Sequence, residues 1–284
     1  MTHLIDQLKY RYKKASIVEK LIYINVAVFF LGYLFNTVAF LIDSKSNFVF
    51  DWFALPAQFD QIIYRPWSII TYAFLHASLW HILSNLLILF YIGNLFLDYF
   101  TQKQFINYYF LGALFGGAIF LLSFNLFPAL QHSNSVLVGA SAAVTSIFVG
   151  IATYMPQYEI KIRFIGFVKL WTLAAVWIGL DLIQIPAGNA GGHIAHLGGA
   201  LIGFILTTQL QKGNSFLDAI NKIFTAKKQK PLRTVYKNKA KTKPVANTQS
   251  NQKKIDEILD KISKSGYETL TKEEKAFLFK SGKS

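Results

Sequence analysis

The sequence predicts an all-α membrane protein: a bundle of six transmembrane helices with a long loop between the first and the second. Three observations carry this. Only 15% of the 284 residues are charged, against 53% hydrophobic and 16% aromatic, whereas a soluble domain has roughly 25% charged residues. Six apolar runs approach the ~20 residues that a spanning helix needs. Lys and Arg are distributed among the connections in a way that a single orientation satisfies.

The first run, 21–42, follows a polar, basic segment (1–20) that holds Lys9, Arg11, Lys13, Lys14 and Lys20. It is too long for the apolar core of a cleavable signal peptide, so none is expected. The connection 43–78 mixes apolar and polar residues and carries Trp52, Phe53, Trp67 and Tyr72. Trp and Tyr favour the headgroup level, so an interfacial or partly embedded loop is expected. The remaining spans are predicted at 79–98, 104–125, 136–155, 167–185 and 192–210. Lys103 lies between spans two and three, and Lys161, Arg163 and Lys169 lie between four and five. On the opposite side the long loop has only Lys45 and Arg65, and 126–135 and 186–191 have no basic residue. This asymmetry puts both termini in the cytoplasm.

The segment 211–251 reads as a basic, flexible linker, and 252–284 as a small helical hairpin. Residues 212–284 hold 18 of the 29 Lys/Arg and 7 of the 15 Asp/Glu, which leaves +11 of the net +14 there. Beside a membrane, attraction to anionic lipid is a simpler reading of this charge than nucleic-acid binding. In the hairpin Ile255, Ile258, Leu259 and Ile262 recur at helical spacing, Gly266 can end that helix, and Thr271-Lys272-Glu273-Glu274 fits a capping box that opens a second. With no cysteine, disulfides and thiol catalysis are excluded.

Polar residues inside spans are costly and usually have a reason to be there. Counted inward from the outer ends, Ser141 lies five residues into span four, His196 four into span six, and His81 and Asn85 two and six into span two. At 1.5 Å rise per residue all four fall within ~10 Å of the outer boundary. One shallow layer therefore holds a hydroxyl, two imidazoles and an amide: a nucleophile, a base and donors for an oxyanion. The neighbours are small. Ser141 sits in Gly139-Ala140-Ser141-Ala142-Ala143, and Gly198, Gly199 and Gly203 follow His196; small residues let membrane helices approach closely. Gly112 and Gly116 read as another helix-contact face. Taken singly, the serine reads as a packing residue and Asn85 as glue between helices, and a proton relay through His81, His193 and His196 in a carrier also fits. No metal or cofactor is implied, since His76 and His81 are five apart with no nearby carboxylate.

Three stretches resemble a known family. His76-Ala77-Ser78-Leu79-Trp80-His81-Ile82-Leu83-Ser84-Asn85 resembles the second-span signature of rhomboid intramembrane serine proteases. Gly139-Ala140-Ser141-Ala142 resembles their Gly-X-Ser-Gly nucleophile motif, and His196-Leu197-Gly198-Gly199 through Gly203 their sixth-span motif. Arg65-Pro66-Trp67 is similar to the Arg/Trp element of their first loop. The resemblance covers about 19–210. It implies Ser141 as nucleophile and His196 as base, with the Ser141 N–H, His81 and Asn85 at the oxyanion and Gly139 keeping the backbone open. The fifth span would be the side gate through which a substrate helix enters. His76, His193 and Asp181 are candidates for a supporting shell; Asp181 could orient an imidazole, although the family works as a dyad.

The partners implied are single-span transmembrane substrates and lipid, with no nucleic acid. The setting implied is the bacterial cytoplasmic membrane, because similar tails occur on rhomboids of the Bacteroidetes type. Two departures stand out. Ala142 replaces the second glycine of the motif. Thr145 stands where some members place an aromatic ring against the histidine, which weakens the expected stacking on His196. A catalytically silent relative that binds transmembrane clients is the alternative.

Overall fold

The computed structural model describes residues 2–44, 47–131, 133–213 and 248–281, which divide into two units, Met1–Ala226 and Lys227–Ser284. Most of the predicted linker 211–251 lies outside the described residues.

The first unit begins with α1 (Thr2–Lys14). The first apolar helix, α2 (Ile17–Leu41), starts four residues before the apolar run because Ser16 and Glu19 form a capping box. The Ser16 N–H donates to Glu19 Oε2 at 2.6 Å, and the Glu19 N–H donates to Ser16 Oγ at 3.2 Å. Two orphan amides of the first turn are thereby satisfied.

The long loop is built of α3 (Phe48–Phe53), β1 (Leu55–Pro56), α4 (Phe59–Tyr64) and α5 (Ser68–Thr71). Its two ends are tied together by polar bonds. The Arg65 guanidinium donates to the Asp51 carbonyl and to Gln61 Oε1. Trp67 Nε1–H donates to the Trp52 carbonyl at 2.8 Å, with the two indoles stacked 6.1 Å apart. The Thr71 hydroxyl donates to the Phe53 carbonyl at 2.8 Å. The outward Trp52, Phe48 and Tyr64 are exposed, while Ala54, Leu55 and Ala57 are buried beneath them.

Ser78 caps α6 (Leu79–Tyr99), and Thr101 with Gln104 boxes α7 (Gln102–Leu126). The fourth span departs from expectation. Its helix, α8 (Ser141–Tyr154), begins five residues later than predicted. Val136–Leu137 is instead an extended strand, β2, paired antiparallel to β1 with Leu55 opposite Leu137. The break falls at Gly139, whose φ of +125° no helix accommodates. The fifth helix, α9 (Leu170–Gln184), also starts late, because Gly166–Lys169 (β4) pairs with Glu159–Ile162 (β3) as a hairpin. The last, α10 (Ala190–Gln211), starts early at a side-chain cap from Asn189.

Among the described residues five spans, not six, are long and apolar enough to cross a membrane, α9 counting together with the 3-10 turn that follows it (Leu170–Ala187); α8, with 14 residues, is shorter. It is also the centre of the bundle, buried continuously from Ala142 to Ala152. It is enclosed by α7, α10, α6 and α9, which is why it can be apolar all round and show almost no outward face.

The tightest packing joins α7, α8 and α10. A Cβ at Gly112 would lie 2.5 Å from Ser146 Cβ, and one at Gly116 would lie 2.5 Å from Ala142 Cβ. On the other side, Cβ atoms at Gly199 and Gly203 would collide with the carbonyl oxygens of Ala142 and Ser146. Two glycine pairs at four-residue spacing thus clasp the same turn of α8. Further along, the Tyr108 and Thr207 hydroxyls share a buried 2.8 Å hydrogen bond between α7 and α10.

In the second unit, α11 (Thr248–Ser265) turns at Gly266 (φ +84°) into α12 (Lys272–Ser281). The capping box is formed: the Thr271 N–H donates to Glu274 Oε2 at 2.8 Å and the Glu274 N–H to Thr271 Oγ1 at 3.3 Å. The Thr271 amide, then Lys261, holds the Glu274 carboxyl below its usual range. Ile258 and Leu270 are buried, but Leu259 and Phe279 face outward.

Gly199→Val is expected to overpack α8 at a cost of about 2–3 kcal/mol and to lower Tm in detergent by roughly 5–10 °C. Gly179→Ala, where a Cβ meets open space, should leave Tm the same or slightly higher. A wild-type Tm for Gly199→Val would contradict the packing of α10 on α8.

Candidate active site

Ser141 is the first residue of α8, not a residue within it. The turn before it is fixed from three directions. The Gly139 N–H donates to the Tyr72 carbonyl at 3.0 Å, and the Tyr72 hydroxyl donates to the Ala113 carbonyl of α7 at 2.7 Å. The Ala140 N–H meets His76 Nε2 at 3.5 Å. Among the described residues no side chain caps α8. An uncapped helix start presents backbone N–H groups and the positive end of the helix dipole, the setting in which developing negative charge is stabilised.

His81 stands over this turn. Its Nδ1 accepts from the Ala77 N–H at 3.4 Å, which places the ring hydrogen on Nε2. A Cβ at Gly139 would lie 2.7 Å from that Nε2 and 3.5 Å from Ser141 Oγ. The imidazole edge and the serine hydroxyl therefore border one small space, open because residue 139 has no side chain. The His76 and His81 rings meet edge to face, 5.1 Å between centroids. Burial, and secondarily His81, pulls the His76 imidazole down to about 4, so at neutral pH it is an uncharged acceptor. Asn85 is buried on α6, and its amide donates to the His81 carbonyl at 2.8 Å, leaving one N–H for another partner.

His196 lies on α10; its neighbour Ala195 and, from α8, Ala142 both crowd Gly116 of α7. The neighbours of the serine and of the histidine thus converge on one glycine. The ring is held from α9. Asp181 Oδ1 accepts from His196 Nδ1 at 2.9 Å and from His193 Nδ1 at 2.8 Å. With both Nδ1 atoms donating, each neutral ring carries a free Nε2 lone pair. Asp181 is buried, and its Oδ2 has no hydrogen-bond partner among the described residues.

Ser141, Gly139, His76 and His81 thus meet at one corner, with Asn85 held to the His81 carbonyl, and Asp181, His193 and His196 meet in a second cluster; among the described residues no hydrogen bond joins Ser141 to His196. Trp177 is the residue that sequence reasoning missed. Thr145 offers no ring, but Trp177 stands beside His196 from α9, centroids 6.3 Å apart. The available signal was spacing: Trp177 and Asp181 are four apart, hence on one helical face.

An integral membrane bundle that encloses a helix start, a serine and several imidazoles has its polar site inside the protein. Comparison with known proteins assigns its family. The model of the rhomboid domain matches residues 64–212, just over half of the chain, and the chain belongs to the rhomboid family. Residues 246–281 match a second model, described as a family of unknown function (DUF6576). The chain is 30% identical over 161 residues to RHOMBOID-like protein 12, mitochondrial, of Arabidopsis thaliana, covering 52% of this chain and 48% of that one. It is 26% identical over 149 residues to Rhomboid-like protease 3 of Toxoplasma gondii, covering 52% and 53%. The chain spans about half the length of these curated relatives.

The Asp181 contacts fix a tautomer. Nitrogen NMR of histidine-labelled protein should show His193 and His196 protonated at Nδ1, and Asp181→Ala should return both towards the Nε2–H form. Nε2–H rings in the wild type would rule out the shared carboxylate.

Proposed function

We propose that this rhomboid-family chain is an intramembrane serine endopeptidase that cuts single-span membrane proteins. The observation that carries the proposal is the pairing of an uncapped helix start at Ser141, facing His81 Nε2–H across Gly139, with a base on the adjoining helix anchored through Nδ1.

The reaction follows from that arrangement. Ser141 Oγ attacks the scissile carbonyl carbon as its proton passes to His196 Nε2. The new oxyanion is met by the Ser141 N–H, with His81 Nε2–H and the spare Asn85 N–H as further donors. The C–N bond breaks as His196 returns the proton to the leaving amine, giving an acyl-enzyme. Water, deprotonated by the same nitrogen, then hydrolyses the ester and restores Ser141. Asp181 is a positioning residue: it holds His196 in the tautomer that leaves Nε2 free and stabilises the imidazolium that forms. Trp177 packs the ring from the side.

A substrate helix enters between α6 and α9. A cleft of about 740 Å³ there is lined by Leu87, Tyr91, Phe148, Trp177 and Leu180. Its apolar walls suit a transmembrane segment. The charge asymmetry supports cytoplasmic termini and cleavage near the outer face, and the resemblance of the tail supports a bacterial cytoplasmic membrane.

The test is cleavage of a labelled single-span substrate by purified protein in liposomes. Ser141→Ala and His196→Ala should each lower kcat by about 10³-fold or more, with the protein still folded. Gly139→Ala should lose at least about tenfold, because a side chain is strained at φ +125° and its Cβ would meet His81. Asp181→Asn should reduce kcat by about 10–100-fold with little change in KM, and alter the pH profile. Undiminished cutting by Ser141→Ala would sink the assignment. Binding of clients without cutting by the wild type, together with no labelling of Ser141 by a fluorophosphonate, would make the chain a silent client-binding relative.

A further inference from the structure

Asp181, His193 and His196 form a cluster that the reaction only half uses. One carboxylate oxygen receives two Nδ1 atoms, at 2.8 and 2.9 Å, while the other oxygen is buried without a partner among the described residues. A carboxylate that is 5% exposed is costly to desolvate, and two neutral N–H donors on a single oxygen compensate it only in part. The three ligand atoms lie within 4.8 Å of one another. The imidazole planes cross at 83°, so the two nitrogens approach the carboxylate from different directions. The side chains of His193 and His196 are 15% and 16% exposed, which leaves a route in for a small ion.

Two imidazoles and one carboxylate are a donor set for zinc-class cations, with an open position left over. Bonds of about 2.0–2.2 Å in a tetrahedron put ligand atoms roughly 3.3 Å apart, so Asp181 has to draw back from each nitrogen by about half an ångström. Magnesium and calcium, which want mostly oxygen ligands, do not suit the set.

We propose that Asp181, His193 and His196 bind a zinc-class divalent cation, and that the bound ion switches off the Ser141 chemistry. Coordination needs the Nδ1 lone pair of His196. The ring hydrogen then sits on Nε2, by exchange through solvent and with no net change in protonation. The nitrogen that must accept the serine proton is thereby blocked, and Asp181 is drawn off its orienting task. His193 gives the cluster its third ligand. The binding half stands independently of the protease reading; the inhibition half rests on it.

The experiment uses full-length protein freed of any affinity tag, in detergent, with Zn²⁺ and Co²⁺ as probes and Mg²⁺ as the control. Wild type should take up one Co²⁺, seen by its visible absorption and displaced by Zn²⁺. Asp181→Asn and His193→Gln, checked for wild-type elution and Tm, should bind at least about tenfold more weakly. Each cleaving variant is compared with its own metal-free rate. Zn²⁺ should inhibit wild type reversibly on chelation, and His193→Gln should need at least about tenfold more Zn²⁺ for the same fractional inhibition. Absence of a Co²⁺ spectrum, or equal binding by the variants, overturns the site. Binding with undiminished cleavage overturns the switch. If no substrate is cut even without metal, the protease reading fails while the Co²⁺ arm still decides the site.

Discussion

The contact on which the rest of this molecule depends is the approach of α10 to the backbone of α8. Gly199 and Gly203 lie against the carbonyl oxygens of Ala142 and Ser146 so closely that a side chain on either would collide. In lipid there is little hydrophobic force between helices, and association rests on packing area and polar bonds. Bare backbone against bare backbone maximises that area. It also fixes where Ser141 and His196 stand, because each lies within a turn of the contact. Gly112 and Gly116 of α7 close the same turn of α8 from the other side, so α8 has no freedom to slide.

The loop between α2 and α6 extends this control to the segment before the serine. Leu55 and Pro56 pair with Val136 and Leu137, and Tyr72 receives the Gly139 amide while its own hydroxyl reaches α7. Arg65, Trp67 and Thr71 tie the two arms of the loop together through backbone carbonyls. Bonds of this kind are strong where water is scarce and leave few buried polar groups unmatched. The turn at Gly139, in a conformation that only glycine adopts readily, is therefore over-determined by its surroundings.

Much of this was legible in the amino-acid order. The apolar runs marked the five helices long enough to cross a membrane, and the glycines at four-residue spacing on two spans marked the faces that meet α8. Ser141, His196, His81 and Asn85 stood out as candidates because each is a polar residue at a place where polarity is expensive. The start of α8 was not visible: Val136 and Leu137 are as apolar as a helix, and their pairing with Leu55 and Pro56, together with the turn at Gly139, makes them extended. The link from Asp181 to both histidines was also hidden, since it joins two helices and depends on their relative rotation, which no one-dimensional pattern encodes. Trp177 was hidden for the same reason: a ring beside the histidine is expected on α8, where Thr145 stands, whereas the fold supplies it from α9.

The shortness of α8 has a consequence for how the molecule is made. Fourteen residues of helix rise only about 21 Å, against a hydrocarbon layer of about 30 Å. A segment of that length is weakly held by lipid, and its natural solvent is the glycine face of α10, which is synthesised later. Until α10 arrives, α8 has nothing to lie against. The surroundings of Ser141 and His196 therefore take their final form only when α10 packs, in one late step rather than span by span.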